Sequence, residues 1–243
     1  MENIGTYNFV TESYLVDFQG KVPVPMLGNY MLHAAAAHAE ERGFGYKVMT
    51  SRNLAWVLSR IDIQIDEYPR MSEPIAVQTW VEDVNRFFTN RCFAVLDREG
   101  REIVHARSIW AAIDLQTRRP SDLMKLNNLA QFICDKKCWI EKTGKIPHAE
   151  DAPAVLYRVK YSDLDINKHL NSIKYMEHLL DLFDIEKYKK QKIRRFEITY
   201  LAEGKYGMQL SLHLKKEEST ERYIAAICDE TGKAICRAAV IWE

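Results

Sequence analysis

The chain has 243 residues, 47% of them hydrophobic and 28% charged, and 34 basic residues balance 34 acidic ones. That composition suits a globular protein with a substantial core, and a net charge of zero argues against a chain that holds nucleic acid or an anionic membrane through its overall field. No apolar run approaches the roughly 20 residues of a membrane helix, and five cysteines (Cys92, Cys134, Cys138, Cys228, Cys236), odd in number and lacking zinc-ligand spacing, predict free thiols in a reducing cytoplasm and no metal site.

The opening MENIGTYNFVTESYLV predicts a strand entering the fold rather than a leader segment. A helix is predicted within PMLGNYMLHAAAAHAEERG (25–43), where alanines favour the helix and Gly43 supplies a stop. RIDIQID then puts Ile61, Ile63 and Ile65 on one face of a strand. AVLDREGREIVHARSIW (94–110) predicts a hairpin turning at Asp97 to Gly100. Turn formers and charges fill 119–153, which is expected to be a linker with one short helix near 121–134. Downstream, NSIKYMEHLLDLFD (171–184) carries an apolar stripe of Ile173, Met176, Leu179, Leu180 and Phe183 at helical spacing. FEITY and MQLSLHL alternate as strands, and AICDETGKAICRAAVIW (226–242) closes the chain with a second hairpin at Asp229 to Gly232.

The two hairpins share Ala, Asp, Gly, Ile, Ala, Ile and Trp in the same order and spacing. Each half therefore runs strand, helix, then antiparallel strands. The expected fold is α+β: a long helix wrapped by a curved antiparallel sheet, built twice. The expected divisions are an N-terminal domain over 1–118, the linker over 119–153 and a C-terminal domain over 154–243.

One stretch, DLDINKHLNS (163–172), concentrates polar side chains ahead of the second helix. A calcium loop fails, because the required Gly is Lys168 and the required bidentate Glu is Lys174. Asn171 or Ser172 serves as a helix cap on the bland reading, with Asp165 and Asn167 shaping a turn. That reading leaves His169 unexplained. If the segment is extended, Asp165, Asn167 and His169 point the same way, just before a helix N-terminus whose free N–H groups favour an anion. A carboxylate, an amide and an imidazole beside backbone donors suit acyl hydrolysis.

YSDLDINKHLNSIKYMEHLLD, together with LAWVLSRIDIQIDEYPRMSEPIAVQTWVE and RSIWAAIDLQTRRP, closely resembles the signature segments of plant acyl-ACP (acyl carrier protein) thioesterases. The resemblance runs from about Tyr7 to the end. It implies a double hotdog fold and hydrolysis of the thioester between a fatty acyl chain and the carrier protein's phosphopantetheine arm, as a hydrolase of fatty acid biosynthesis with no cofactor. The plant transit peptide is missing here, which suggests a bacterial cytoplasmic member. The family's catalytic Asp, Asn and His fall on Asp165, Asn167 and His169. Its Glu falls on Glu203 of YLAEG, and its Cys position is Gly204. The Gly argues for direct attack by water rather than an acyl-enzyme on Cys. Asp165 or Glu203 is then the base. Asn167 holds the carbonyl or the water, His169 orients the network or donates a proton, and a backbone N–H at the helix start completes the oxyanion site.

Matching Tyr30-Met31 to Tyr175-Met176 sets Val22, Val24 and Met26 opposite Asn167, His169 and Asn171. On that register only the C-terminal half carries a site. The N-terminal half supplies an acyl-chain channel beside Met26, Leu27, Met31 and Trp56, by family analogy. The expected partner is the acidic acyl carrier protein, docking on Lys168, Lys174, Arg194 and Arg195. No nucleic-acid or membrane partner is expected, and a homodimer is allowed. The alternatives are an acyl-CoA thioesterase and a non-catalytic acyl-binding protein.

Overall fold

The computed structural model describes residues 3–126 and 129–243. The chain divides into two compact units, Met1–Glu141 and Lys142–Glu243. In the first, strand β1 (Gly5–Val10) precedes helices α1 (Val24–Glu41) and α2 (Tyr46–Ser51), then β2 (Leu54–Ile65), β3 (Pro74–Val84), β4 (Thr89–Leu96) and β5 (Glu102–Asp114). The strands pair antiparallel in the order β1–β3–β4–β5–β2. In the second, β6 (Ala154–Arg158) precedes α3 (Ser172–Leu180) and α4 (Ile185–Lys190), then β7 (Ile193–Tyr200), β8 (Gln209–Lys216), β9 (Arg222–Cys228) and β10 (Ala234–Trp242). Here the antiparallel order is β7–β10–β9–β8–β6. The fold is α+β of hotdog type. The opening strand is present from Gly5; Met1 and Glu2 lie outside the described residues.

Local chemistry explains the elements. Helix α1 starts with Pro inside its first turn, where the missing N–H costs nothing, and Gly43 beyond its end sits at φ +73°. Its Ala34, Ala35 and Ala39 are buried, and their small side chains let it lie on β3 and β1. On α3 the apolar stripe buries Ile173, Met176, Leu179 and Leu180 against β8 and β9. Each such side chain contributes about 1.5–3 kcal/mol through burial.

The segment expected to be a linker is a pair of straps. Side chains alternate across β3 and β4, so Thr79 and Arg91 face α1 while Trp80, Cys92 and Ala94 face away. That far face is covered by residues 133–140. Cys134 and Cys138 pack on it, the Trp80 indole N–H donates to the Lys136 carbonyl (2.9 Å) and Arg107 Nη1 to the Ile140 carbonyl (2.6 Å). From 142 on, Ile146 and Ala149 pack on Ile224, Ala226, Cys228, Ala234 and Ala239 of the second unit. Apolar faces on both sheets thus recruit the intervening chain. The short helix expected near 121–134 is two 3-10 turns, Leu123–Lys125 and Leu129–Phe132; Asn127 and Asn128 of that expectation lie outside the described residues. Asp122 caps the first turn through the Met124 N–H, and Leu123 and Leu126 are drawn into the cluster of Met49, Leu54 and Ala112.

The repeat extends to individual backbone bonds. Both hairpins turn on an Asp whose Oδ1 takes two N–H groups, Glu99 and Arg101 for Asp97, Thr231 and Lys233 for Asp229. Each turn has its Gly at positive φ, Gly100 at +82° and Gly232 at +80°. The Ile103 carbonyl accepts from Asp66 and Glu67, as the Ile235 carbonyl does from Leu201 and Ala202. Thr11 and Val159 hold Ser72 and Gly207 in the same way. Two units with different side chains have kept one hydrogen-bond pattern.

Candidate active site

The stretch 163–171 is a tight turn and not an extended segment. Asp165 N–H donates to the His169 carbonyl (2.8 Å) and Lys168 N–H to the Asp165 carbonyl (3.0 Å), with Lys168 at φ +65°. Asp165 Oδ1 accepts the N–H of Asn167 (2.8 Å) and of His169 (3.0 Å). The expected common direction of Asp165, Asn167 and His169 is therefore corrected: the Asp165 carboxylate folds into its own loop, and Asn167 is exposed. Alternating polar residues here reflect an Asx-type turn, which uses i+2 and i+4 amides just as a strand uses alternate faces.

The turn lies along residues 203–205. Leu170 N–H donates to the Gly204 carbonyl (2.9 Å), and His169 bridges Lys205. This pairing brings His169 Nε2 to 3.3 Å from Glu203 Oε2. The two side chains are 26% and 37% exposed, so the pair is held by protein yet open to a reactant.

Helix α3 begins directly behind. Asn171 is the cap: its Oδ1 accepts from Ile173 N–H (2.9 Å), and its carbonyl takes Lys174 N–H (2.9 Å) and Tyr175 N–H (3.3 Å). Those three amides are committed, which narrows the helix-start donor expected at an oxyanion to the Ser172 N–H. The exposed Asn167 carboxamide is a second candidate donor. Tyr175, buried, accepts the Gly204 N–H (2.8 Å) and donates to the Ala202 carbonyl (3.2 Å). Burial pushes the Tyr175 hydroxyl up, so it stays protonated and able to donate. A Cβ at Gly204 would stand 3.0 Å from Leu170 Cβ and 3.3 Å from Tyr175 Oη, so the bare glycine suits this close packing.

A second group went unnoticed in the sequence. Asp163 is 3% exposed and accepts from Tyr157 Oη (2.7 Å) and Lys160 N–H (2.7 Å), while His178 Nε2 lies 3.2 Å from its other oxygen. Burial pushes its carboxyl up, but these donors and the nearby imidazole outweigh it and leave the group below the usual range. The Asp163 carbonyl also takes the Asn171 N–H (2.8 Å), so the group anchors the turn at its entry. The signal was the Asp two residues ahead of Asp165, read only as part of a polar cluster.

The first unit holds a copy of the turn. Asp17 Oδ1 accepts from Gln19 N–H (2.8 Å) and Lys21 N–H (3.0 Å), Asp17 N–H donates to the Lys21 carbonyl (2.8 Å), and Gly20 takes the positive φ of +71°. Val22 N–H donates to the Pro69 carbonyl (2.9 Å) and Lys21 bridges Arg70, as Leu170 does to Gly204 and His169 to Lys205. These bonds correct the register drawn from the two Tyr-Met pairs. Asp165, Asn167, His169 and Glu203 correspond to Asp17, Gln19, Lys21 and Tyr68, and Tyr175 to Leu27. The first unit keeps the turn and lacks the His and Glu. Of the residues expected beside an acyl channel, Leu27 and Met31 are fully buried, Met26 is half-buried, and Trp56, half-buried, donates its indole N–H to the Phe44 carbonyl (2.8 Å).

Among the basic candidates for docking, Arg195 is committed to the buried Glu197 (2.7 Å) and only 11% exposed, so it is withdrawn. Lys174 pairs with Glu177 (2.5 Å) and Arg194 with Glu243 (3.6 Å), while Lys168 is exposed at the tip of the turn. Among the described residues no group of three or more His, Cys, Asp or Glu could hold a metal ion, and no helix is long and apolar enough to cross a membrane.

Comparison with known proteins gives the family and the fold. The family model described as acyl-ACP thioesterase N-terminal domain matches residues 3–127, and that described as acyl-ACP thioesterase C-terminal domain matches 148–243. The crystal structure of an acyl-ACP thioesterase from Bacteroides thetaiotaomicron is 44% identical, covers 100% of this chain and 98% of its own, and superposes with a TM-score of 0.95. A 12:0-ACP thioesterase from Umbellularia californica, 21% identical over 99% of this chain and 97% of its own, has a TM-score of 0.87 and shares the fold. A palmitoyl-acyl carrier protein thioesterase of Arabidopsis thaliana is 26% identical over 81% of this chain. The chain spans about half the length of that plant relative, 51%.

Proposed function

The chain belongs to the acyl-ACP thioesterase family, and on that premise we propose that it hydrolyses the thioester of fatty acyl-ACP, releasing the free fatty acid and holo-ACP. The observation that carries this reading is the His169–Glu203 pair, 3.3 Å apart, drawn from two loops that one backbone bond ties together. Glu203 takes a proton from water as the oxygen attacks the thioester carbonyl. His169 holds the Glu203 carboxylate in position through Nε2. The exposed Asn167 carboxamide donates to the developing oxyanion. Collapse of the tetrahedral intermediate breaks the C–S bond, and the carrier's phosphopantetheine sulfur leaves with the proton.

Asp165 is assigned the turn rather than the base. The same carboxylate geometry recurs at Asp17, where Lys21 and Tyr68 stand in for His and Glu, so the turn needs its Asp whether or not chemistry occurs. Gly204 offers no thiol, which favours water attack. The acyl chain is assigned to the first unit beside Met26, Leu27, Met31 and Trp56, and the carrier's acidic surface to Lys168 and its neighbours. A bacterial source is supported by the 44% identity to the Bacteroides chain, and a cytoplasmic setting is proposed with it.

Incubating the protein with a panel of acyl-ACPs of graded length and saturation, and the matching acyl-CoAs, tests this directly. Catalytic release of free acid, with higher kcat/KM on the ACP forms, is expected. Stoichiometric binding without turnover would turn the reading into an acyl-binding protein.

A further inference from the structure

We propose that Tyr175 is a positioning residue for the reaction, and that its hydroxyl sets the placement of Glu203. This rests on the reading of Glu203 as the base. The hydroxyl accepts from the N–H of Gly204 (2.8 Å) and donates to the carbonyl of Ala202 (3.2 Å), so it grips the backbone on both sides of residue 203. Glu203 follows the end of β7 in an irregular loop, which is also held by the Ala202 N–H on the Ile235 carbonyl and the Leu170 N–H on the Gly204 carbonyl. Tyr175 itself is fixed. Its side chain is 3% exposed, it projects from the first turn of α3, and its ring lies edge-on against Tyr200 at 5.5 Å. The hydroxyl thus ties Glu203 to the helix that follows the His169 turn.

The other unit shows which feature the hydroxyl accompanies. It builds the same turn, the same bridge and the same loop after β2, and at the position of Tyr175 it has Leu27, fully buried. The counterpart of Gly204 there is Pro69, which has no N–H to donate, so the hydroxyl occurs only where a backbone amide beside residue 203 needs an acceptor. The unit that has one is the unit that carries Glu203. Aligned catalytic groups lose rate steeply when displaced, by on the order of 10²-fold for an ångström.

The test is Tyr175→Phe, assayed on acyl-ACP beside Glu203→Gln, the double variant and Tyr200→Phe. The Tyr200 hydroxyl donates to the Ser172 carbonyl (2.9 Å) and Phe keeps the ring that lies against Tyr175, so this variant should stay within about 3-fold of wild-type kcat. Tyr175→Phe should lower kcat by about 10- to 100-fold with KM within about 2-fold, the split expected when an interaction matters only at the transition state. In the Glu203→Gln background it should cost less than about 2-fold, because nothing remains to be positioned. p-Aminophenylalanine at 175 keeps a para atom that donates and accepts in the same volume. It should hold kcat within about 5-fold of wild type, and it carries the test if the Phe variant does not fold. Wild-type kcat in Tyr175→Phe with Glu203→Gln inactive would overturn the positioning role alone, as would an equal loss in both backgrounds or no rescue by the amine. Full activity of Glu203→Gln would overturn the base, and the positioning role with it.

Discussion

The turn at 165–169 and its copy at 17–21 have the same backbone bonds, the same two amides on an Asp Oδ1 and the same positive φ at the fourth residue. One ends in Lys21 beside a loop bearing Tyr68, the other in His169 beside a loop bearing Glu203. On the proposed mechanism, the difference separates what the architecture requires from what the chemistry requires. The turn aspartate belongs to the architecture. The His–Glu pair, with the Tyr175 hydroxyl beneath it, belongs to the second unit alone.

The comparison is tested most strongly at His169. Replacing it with Ala should lower kcat on acyl-ACP by about 10²-fold or more with the fold retained, whereas Lys21→Ala should leave kcat unchanged. Activity surviving the first substitution would erase the distinction between the turns. The aspartates provide a finer test. Asp165→Ala removes the acceptor of two amides and should cost at least about 10-fold in kcat through a disordered turn. Asp165→Asn keeps an Oδ1 acceptor and should stay within about 5-fold. Asp17→Ala should lower Tm and spare kcat, because unsatisfied amides cost about 1–3 kcal/mol wherever the turn sits. If Asp17→Ala and Asp165→Ala lower kcat alike, the turns are not divided in this way.

The units also differ in how they treat a histidine. His38 in α1 is fully buried, its Nε2 against the Asn3 carbonyl (3.1 Å) and its Nδ1 against Arg91 Nη1 (3.1 Å), which also reaches Thr79. Burial, then the Arg91 charge, lowers its pKa to about 3. The unfolded chain takes up this proton near pH 6.5 and the native state only near 3. Stability is therefore fully present above about pH 6.5 and declines as pH falls toward 3, by on the order of a few kcal/mol. Chemical denaturation across that range should show the decline, and His38→Gln should flatten it. A wild-type profile that is flat between pH 6.5 and 4 would contradict this reading of the buried imidazole.

Smallest of all should be the effect of removing the thiols. Cys92, Cys228 and Cys236 are buried in strands, and Cys134 and Cys138 lie in the strap on the first sheet. A folded variant with all five changed to Ala or Ser should keep kcat within about 3-fold. A burst of product trapped on a thiol would restore a cysteine mechanism.

Much of this was legible in the sequence. The Asp-x-x-Gly hairpins could be read because a turn with positive φ admits few residues, and the helices because apolar spacing and a cap agree. The candidate pair could not be read from spacing, since His169 and Glu203 meet only through the Leu170–Gly204 bond. The family resemblance identified it instead. The sequence misled where one pattern serves two geometries. Asp165, Asn167 and His169 alternate like a strand, yet they form an Asx turn. The Tyr-Met pairs suggested a register that the helices do not keep, because both helices begin in step with the turns before them, at Val24 and Ser172. The straps read as linker because their apolar residues are few and face sheets whose positions the sequence does not display.

The central claim is that Glu203, and not the turn aspartate, activates the water. Single-turnover hydrolysis of one acyl-ACP by Glu203→Gln and Asp165→Asn, side by side with wild type and with folding checked by CD, measures it. The account predicts a loss of about 10²- to 10⁴-fold for Glu203→Gln and less than about 5-fold for Asp165→Asn. The reverse order, with Glu203→Gln near wild type and Asp165→Asn inactive, would contradict it.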